Sequence, residues 1–552
     1  MRPEARRYLG RLGKRDLSLE FKCLNAMQNT PWVINTPVLE VLRWAWDNDQ
    51  EIGGMPSKQN LELPVYPFDK SPQDMTTAEE REALKAWSGR RASVYDHNNR
   101  TMSKRIAHER TIQLAEEYNK YDAFYFVWQN DFRGRKYTVE SFLSPQVADW
   151  GKSLITFARG VEVEADEDVD WLAIHGANLF GVDKVSLDDR VLWAYMNEEN
   201  VVKTAENPHD YDWWKEADKP WQALAWCFEW YGFLREGKGF VTHLPVHADG
   251  SCNGLQHLSA ILRDERGGHA VNLTPSHQPQ DIYTDVALAT IEKVKQDAAA
   301  GDELAKQCLE FGIDRKVTKR SVMIVPYSGT LMSCREYISE ALKERIDKGQ
   351  YDPWGNLFPP SKYLSTHVWS SIQDVISSAS TVMDYLRQVG SHCARQNKPM
   401  EWVTPTNLLV RQAYPQLSHR TIKTMIDGNV VKLSFQDYQQ DTIDLNRTRN
   451  GSSPNFIHSM DASALTLTID RCHDLGIEDF AMVHDSYGTH APNMPAMSQL
   501  LREAFVDMYE QHDVLMDLKN HVESYTEGGL PEPPQQGSLN LSKVLESKYF
   551  FA

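Results

Sequence analysis

AMVHDSYGTH, residues 481–490, is the stretch on which the reading of this chain turns. An apolar, strand-forming run ends in a His and then an Asp, and small and polar residues follow. A carboxylate at the end of a strand ligates a metal, opens a turn or simply meets water, and this stretch alone leaves all three open. LPVHADG (244–250) has the same form. It alternates, with Leu244, Val246 and Ala248 on one face and His247 and Asp249 on the other. Pro245 predicts an edge or a bulge in that strand.

Between the two Asp residues lies FGIDRKVTKRSVMIVPYSGT (311–330). Arg315 and Lys319 are four apart and stack on one face of a helix. Met323 and Tyr327 continue the row, with a drift of about 40° per step. A charged helical row is ordinarily a solvated face, but a solvated face seldom runs on into Met and Tyr. Pro326 lies inside the pattern and is expected to kink or end the helix at Val325. Two carboxylates, a basic helix and aromatic residues together suit phosphoryl transfer. A two-metal site needs carboxylates that hold cations roughly 3.5–4 Å apart, and cationic side chains to neutralise the phosphates. There is no GxxxxGK[ST] loop, so an ordinary NTPase is a weak alternative.

At 552 residues the chain exceeds one compact core and predicts two to four subdomains. Its 16 Trp, 22 Tyr and 19 Phe predict well-filled cores rather than disorder. The seven Cys are scattered, with no CxxC, which argues for a reducing compartment and against a disulfide framework or a zinc site. Even LAWCFEWYGFL (224–234) carries Glu229, so no membrane span is expected. MRPEARRYLGRLGKR, at the start, is Arg-rich but contains Glu4 and runs into DLSLEF, which excludes a secretory signal and disfavours a mitochondrial presequence. The expected location is the cytoplasm. A net charge of −18 argues against a protein that coats nucleic acid, but leaves room for a basic cleft inside an acidic shell.

No internal repeat or low-complexity tract is visible. Residues 1–50 read as helices, among them LEVLRWAW. GGMPSKQNLELPVYPFDKSPQDM, from Gly53, carries four Pro and two Gly and reads as an extended connection. A charged helix follows to about Tyr121, with Thr77 as its N-cap. Strand-like runs begin at Phe124, residues 280–400 are mostly helical, and a β-rich excursion lasts to about Leu445. Within it, TMIDGNVVKLSF offers an Asp-Gly hairpin turn. The last hundred residues return to helix, strand and helix.

DGSCNGLQHLSA (249–260), RKVTKRSVMIVPY (315–327), PNFIHSMDAS (454–463) and VHDSYGT (483–489) resemble, in order and spacing, the motifs of single-subunit DNA-directed RNA polymerases of the T-odd bacteriophage type. NDFRGRKY (130–137), WLAIHGAN with GVDK (171–184), AVNLTPS with QDIY (270–283) and LNLSKVLESKYFFA (539–552) extend the match over nearly all of residues 20–552. The resemblance implies an α+β, mostly helical, right-hand fold with an antiparallel palm sheet. Residues 1–35 would be a remnant of an N-terminal region, 36–121 the thumb, 122–277 the palm and 278–458 the fingers. A specificity hairpin would occupy about 412–440, and 459–552 would complete the palm. Asp249 and Asp485 would hold two Mg²⁺ ions, with the Gly250 carbonyl as a further ligand. Lys319 would contact the triphosphate and protonate the departing pyrophosphate, while Arg315 and Lys184 bind phosphates. Tyr327 and His458 would select ribose, and Arg135 and Tyr137 would touch the template–product duplex. The implied partners are a DNA template, an RNA product and ribonucleoside triphosphates, with a monomeric chain.

Several residues bear on alternatives. A related DNA polymerase carries a bulky Glu after its first Asp, where this chain has GSCNG, and Asp485 is followed by Ser486 rather than a second acid. Both favour ribonucleotides over a DNA polymerase or primase. A non-catalytic nucleic-acid-binding remnant is opposed by the retention of every implied catalytic side chain. Asn253 stands where the phage enzymes usually have Ser. Thr421, Val431 and Leu433 stand in the hairpin where polar, base-contacting residues are expected, leaving Arg420, Lys423 and Lys432 to meet phosphates. His247, His257 and His490 read as core or surface residues; for His458 the less favoured alternative to sugar selection is a helix-start residue satisfied by backbone groups. The chain starts near the thumb, which leaves two expectations: a fragment, or a reduced form that depends on a separate chain for its N-terminal domain.

Overall fold

The structure, a computed structural model, describes residues 3–426 and 429–552. It is an α+β fold dominated by helix, and the sheets among the described residues are two-stranded and antiparallel. None of the described helices is long and apolar enough to cross a membrane. The charged segment forms one helix, Ala78–Tyr118. Thr77 starts it with a capping box, its hydroxyl accepting from the Glu80 N–H while Glu80 accepts from the Thr77 N–H. The Pro-rich connection before it has no regular structure and is bound along the helix, with Leu61 and Asn98 exchanging two hydrogen bonds.

Two expectations need correction. Residues 1–50 are not all helical, because Trp32–Ile34 is a strand paired with Ile155–Phe157. Trp32 and Phe157 face each other in that pair and both are buried, so cross-strand packing overrides the helical neighbourhood. The strand-like runs after Phe124 shrink to Trp128–Asn130 and Lys136–Thr138. Between them Gly134, at φ +93°, and the Asp131 carboxylate close a tight turn.

One hydrophobic cluster runs through the molecule, filled by fully buried Trp32, Trp214, Trp221, Trp226, Trp230 and Trp402. Lying on it is Val246–Asp249, paired antiparallel with Ser486–Thr489 so that Ser486 faces Asp249. Leu244, Val246 and Ala248 are buried, as the alternation predicts. Pro245 falls just before the strand, where its missing N–H removes no ladder bond. The excursion after residue 400 contains a long ribbon, Pro415–Ile426 with Asn429–Ile443, which extends the expected 412–440 hairpin slightly at its base. The Asp-Gly pair proposed for its turn, residues 427 and 428, lies outside the described residues.

Candidate active site

Residues 481–490 form a hairpin tip. Val483 and Ser486 exchange backbone hydrogen bonds of 2.9 and 2.8 Å, and the Ala481 N–H donates to Gly488 at 2.9 Å. His484 and Asp485 are therefore the two turn residues. His484 adopts φ +51°, a left-handed conformation uncommon for a side chain of its size. Its ring packs on Tyr137 at 4.7 Å, which holds it there. The Gly250 N–H donates to the Asp485 carbonyl at 3.0 Å, so Asp249–Gly250 and Asp485 lie side by side although far apart in the chain.

The two carboxylates differ electrically. Desolvation within the cavity works against charge on Asp249, whose side chain is about half exposed there, but Lys219, the Ser486 hydroxyl, His247 and Lys152 outweigh it and hold the group below the ordinary carboxylate range. Burial pushes Asp485 up to about 6, helped by the charges of Asp461 and Asp249. Asp485 still feels the charges of Asp461 and Asp249, a repulsion that a bound cation would relieve. Among the described residues, no group of three or more His, Cys, Asp or Glu side chains could hold a metal ion. Two carboxylates with a backbone carbonyl nonetheless fit Mg²⁺, which is commonly bound by one or two carboxylates and completes its shell with water and substrate phosphate. The Gly250 carbonyl accepts from the Cys252 N–H at 3.0 Å and keeps its second lone pair.

Facing the carboxylates across a cavity of about 470 Å³ is the predicted row. Asp314 caps the helix Arg315–Met323, accepting from the N–H groups of Lys316 and Val317. The helix ends at Met323, two residues earlier than expected, and continues as a 3-10 turn over Val325–Tyr327. That turn keeps Tyr327 in the row, and Arg315, Lys319, Met323 and Tyr327 all line the cavity. Gly254 makes this approach feasible, since a Cβ there would lie 2.9 Å from Pro326 and 3.1 Å from the Tyr327 hydroxyl. The Ser453 hydroxyl anchors the turn by donating to the Pro326 carbonyl at 2.9 Å.

The remaining predicted residues sit around this frame. Arg315 donates to Asp281 at 2.8 Å and lies over the Tyr283 ring. Burial, Arg315 and Lys184 hold the Lys319 ammonium below the usual lysine range. Lys184, on the cavity wall, pairs with Asp183 at 3.0 Å. His458 lies in the middle of the helix Leu445–Asp474, which removes the helix-start alternative. Its ring is 4.7 Å from that of Tyr327. Its Nδ1 is 2.7 Å from an Arg133 nitrogen, and Arg only donates, so Nδ1 accepts and the imidazole proton is on Nε2. Burial, Arg135 and Arg133 push His458 down to about 3, so it stays neutral. Arg135 turns inward, with only 13% of its side chain exposed, and binds Asp461 at 2.6 Å.

The family model described as DNA-dependent RNA polymerase matches residues 164–529. This chain belongs to the DNA-dependent RNA polymerase family. It is 34% identical to T7 RNA polymerase of Escherichia phage T7 over 96% of its own length and 64% of the relative's. It is 32% identical to the DNA-directed RNA polymerase of Enterobacteria phage K11, covering 96% and 63%. With the mitochondrial DNA-directed RNA polymerase 1 of Arabidopsis thaliana it shares 31%, covering 99% and 55%. The chain thus spans somewhat less than two thirds of its phage relatives and about half of the plant one.

Within this candidate site the structure brings in residues that motif spacing did not reveal. Lys219 Nζ is 3.6 Å from Asp249, and Lys152 lines the same wall. Asp461 joins two motifs, accepting from Arg135 and, at 2.6 Å, from Asn253. His247, read as a bystander, accepts or donates at 3.2 Å to the Ser486 hydroxyl behind Asp249. His257 and His490 are core residues, bonded to the Tyr509 hydroxyl and the Arg159 carbonyl. Asp461 had a usable signal, an acid three residues after the nominated His458. Lys219 had none.

Proposed function

We propose that this chain performs template-directed synthesis of RNA from ribonucleoside triphosphates. One observation carries the reading: Asp249 and Asp485, at the ends of paired strands, face the row Arg315, Lys319, Met323 and Tyr327 across a single cavity. Residues 36–121 act as thumb, 122–277 and 459–552 as palm, and 278–458 as fingers. Asp249, Asp485 and the Gly250 carbonyl would hold two Mg²⁺, which supply charge neutralisation and activation of the attacking oxygen. Arg315, Lys184 and Lys319 neutralise the triphosphate, and Lys319, whose proton burial already loosens, delivers it to the departing pyrophosphate. Tyr327 and the neutral, Nε2-protonated His458 bind the 2′-hydroxyl. The small residues Gly250 and Ser251 leave room for that hydroxyl, which disfavours a deoxyribonucleotide polymerase. Arg135 supports the duplex contact indirectly, by bracing Asp461, and Tyr137 by holding the hairpin tip.

Extension of an RNA primer on a DNA template with the four ribonucleotides and Mg²⁺ tests this function. Template-dependent RNA product is the expected result. Its absence from folded, wild-type protein overturns the proposal.

A further inference from the structure

Lys219 stands against the first carboxylate of the site without belonging to any motif. Its ammonium is 3.6 Å from Asp249 Oδ2, and 48% of the side chain is exposed at the cavity wall. The backbone beneath it is fixed from several sides. Pro220, which follows, keeps Lys219 out of the helical conformation, here at φ −126° and ψ 74°. Its N–H donates to the Leu179 carbonyl at 3.0 Å. Asp149 caps the helix that begins at Pro220, accepting the N–H groups of Trp221 and Gln222 at 2.8 and 3.2 Å. The neighbouring Asp218 carboxylate lies against Gly181, where a Cβ would be 2.5 Å away, so this corner is locked to the loop that carries Lys184. A rigid frame, not a mobile loop, delivers the ammonium to Asp249.

That placement conflicts with a divalent cation on the same carboxylate, because the two positive charges repel. A nucleoside triphosphate removes the conflict, since it brings anionic oxygens to the wall shared by Lys219, Lys184 and Lys319. We propose that Lys219 is an exchangeable counter-ion. It pairs with Asp249 while the site holds no nucleotide, weakens the binding of a bare divalent cation there, and passes to the triphosphate when cation and nucleotide arrive together. Metal and nucleotide then strengthen each other's binding, as linkage requires. The idea rests on the reading of Asp249 as a metal ligand in the proposed polymerase.

Mn²⁺ binding to nucleotide-free protein, followed by electron paramagnetic resonance, tests it apart from catalysis. Lys219→Ala is expected to tighten Mn²⁺ binding roughly three- to fivefold, the scale of a half-exposed ion pair. Lys219→Arg keeps the charge and should bind Mn²⁺ as the wild type does. With a non-hydrolysable ribonucleoside triphosphate present, the gain in Mn²⁺ affinity should be larger for wild type than for Lys219→Ala. Equal or weaker Mn²⁺ binding by Lys219→Ala, or no site detected in either protein, overturns the proposal even if RNA synthesis is normal. Tighter binding in a protein that makes no RNA supports the counter-ion and removes only the polymerase reading.

Discussion

Two of the molecule's hairpins differ in nearly every physical respect. The short one, with its tip at His484–Asp485, is backed by the Val246–Asp249 strand and walled by buried Tyr487, Ala248 and Val246. Its uncommon backbone at His484 persists because Tyr137 packs on it and three backbone hydrogen bonds close the turn. Among the described residues, the long ribbon, Pro415–Ile426 with Asn429–Ile443, is tied down near its base, where the Asp444 N–H reaches the Tyr414 carbonyl and the Ile443 N–H reaches the Asn397 side chain. Along it, Ile422 faces Leu433 and Phe435 faces Arg420, with Phe435 50% exposed. Lys423 faces Lys432 on the other side, a like-charge pair that destabilises a ribbon in isolation. One hairpin is over-determined by its surroundings and suits chemistry, which needs fixed geometry. The other is under-determined by the protein and suits contact with something outside it.

The sharpest break in that comparison is at the carboxylates. Asp249→Asn and Asp485→Asn should each lower nucleotide addition by roughly a thousandfold or more, since an amide is a poor ligand for a hard cation. Both side chains face the cavity, so thermal stability should hardly change. Single-turnover primer extension across a range of Mg²⁺ concentrations, with melting curves alongside, measures both. Extension at the wild-type rate by either variant would remove the metal assignment.

Next in size is an effect on stability. Asp461 is buried and accepts from both Arg135 and Asn253; burial works against its charge, but Arg135 and then His257 outweigh it and hold the group below the ordinary carboxylate range. Asp461→Ala leaves a largely buried guanidinium without its partner and should destabilise the protein by about 3–5 kcal/mol. Phe435→Ser, in the ribbon, should change stability by no more than about 0.5 kcal/mol. Urea unfolding of the two variants gives the contrast directly. Similar losses at both sites would mean that the ribbon is as tightly built as the short hairpin.

The features legible in the sequence were those whose cause is local. Alternation placed Leu244, Val246 and Ala248 inward, Thr77 announced a helix start, and the four-residue spacing put Arg315, Lys319 and Met323 on one face. Even the breaking effect of Pro326 was legible, although the helix stops at Met323 and a 3-10 turn carries Tyr327 onward. Long-range contacts were not legible. Nothing in ADKPW announces that Lys219 meets Asp249, and nothing in NDFRGRKY says that Arg135 turns inward to Asp461. Nor does PNFIHSMDAS show that Pro454 and His458 lie inside one 30-residue helix, Leu445–Asp474.

A smaller effect is expected in sugar choice. Tyr327→Phe removes the hydroxyl but keeps the ring against His458, so the total rate should fall little while discrimination against deoxyribonucleotides relaxes by roughly tenfold. Competing ribo- and deoxyribonucleotides on one primed template gives the ratio. An unchanged ratio would assign selection to another group.

The smallest effect tests the exposed ribbon itself. Lys423 and Lys432 are directly opposite, and neither has an acidic neighbour across the strand pair to neutralise it. Phosphates of a bound duplex would supply that neutralisation without reading sequence. For every phosphate deprived of its lysine, the slope of log affinity against log salt should become shallower by about 0.9. The double variant Lys423→Ser, Lys432→Ser should therefore flatten the slope by roughly two. Affinity at moderate salt should fall severalfold, equally for unrelated DNA sequences, and removing the mutual repulsion should raise stability by a few tenths of a kcal/mol. Fluorescence anisotropy of labelled duplexes over a salt series measures the slope. An unchanged slope would mean that these lysines face solvent when DNA is bound, and the ribbon would then act through its apolar face, Ile422, Leu433 and Phe435.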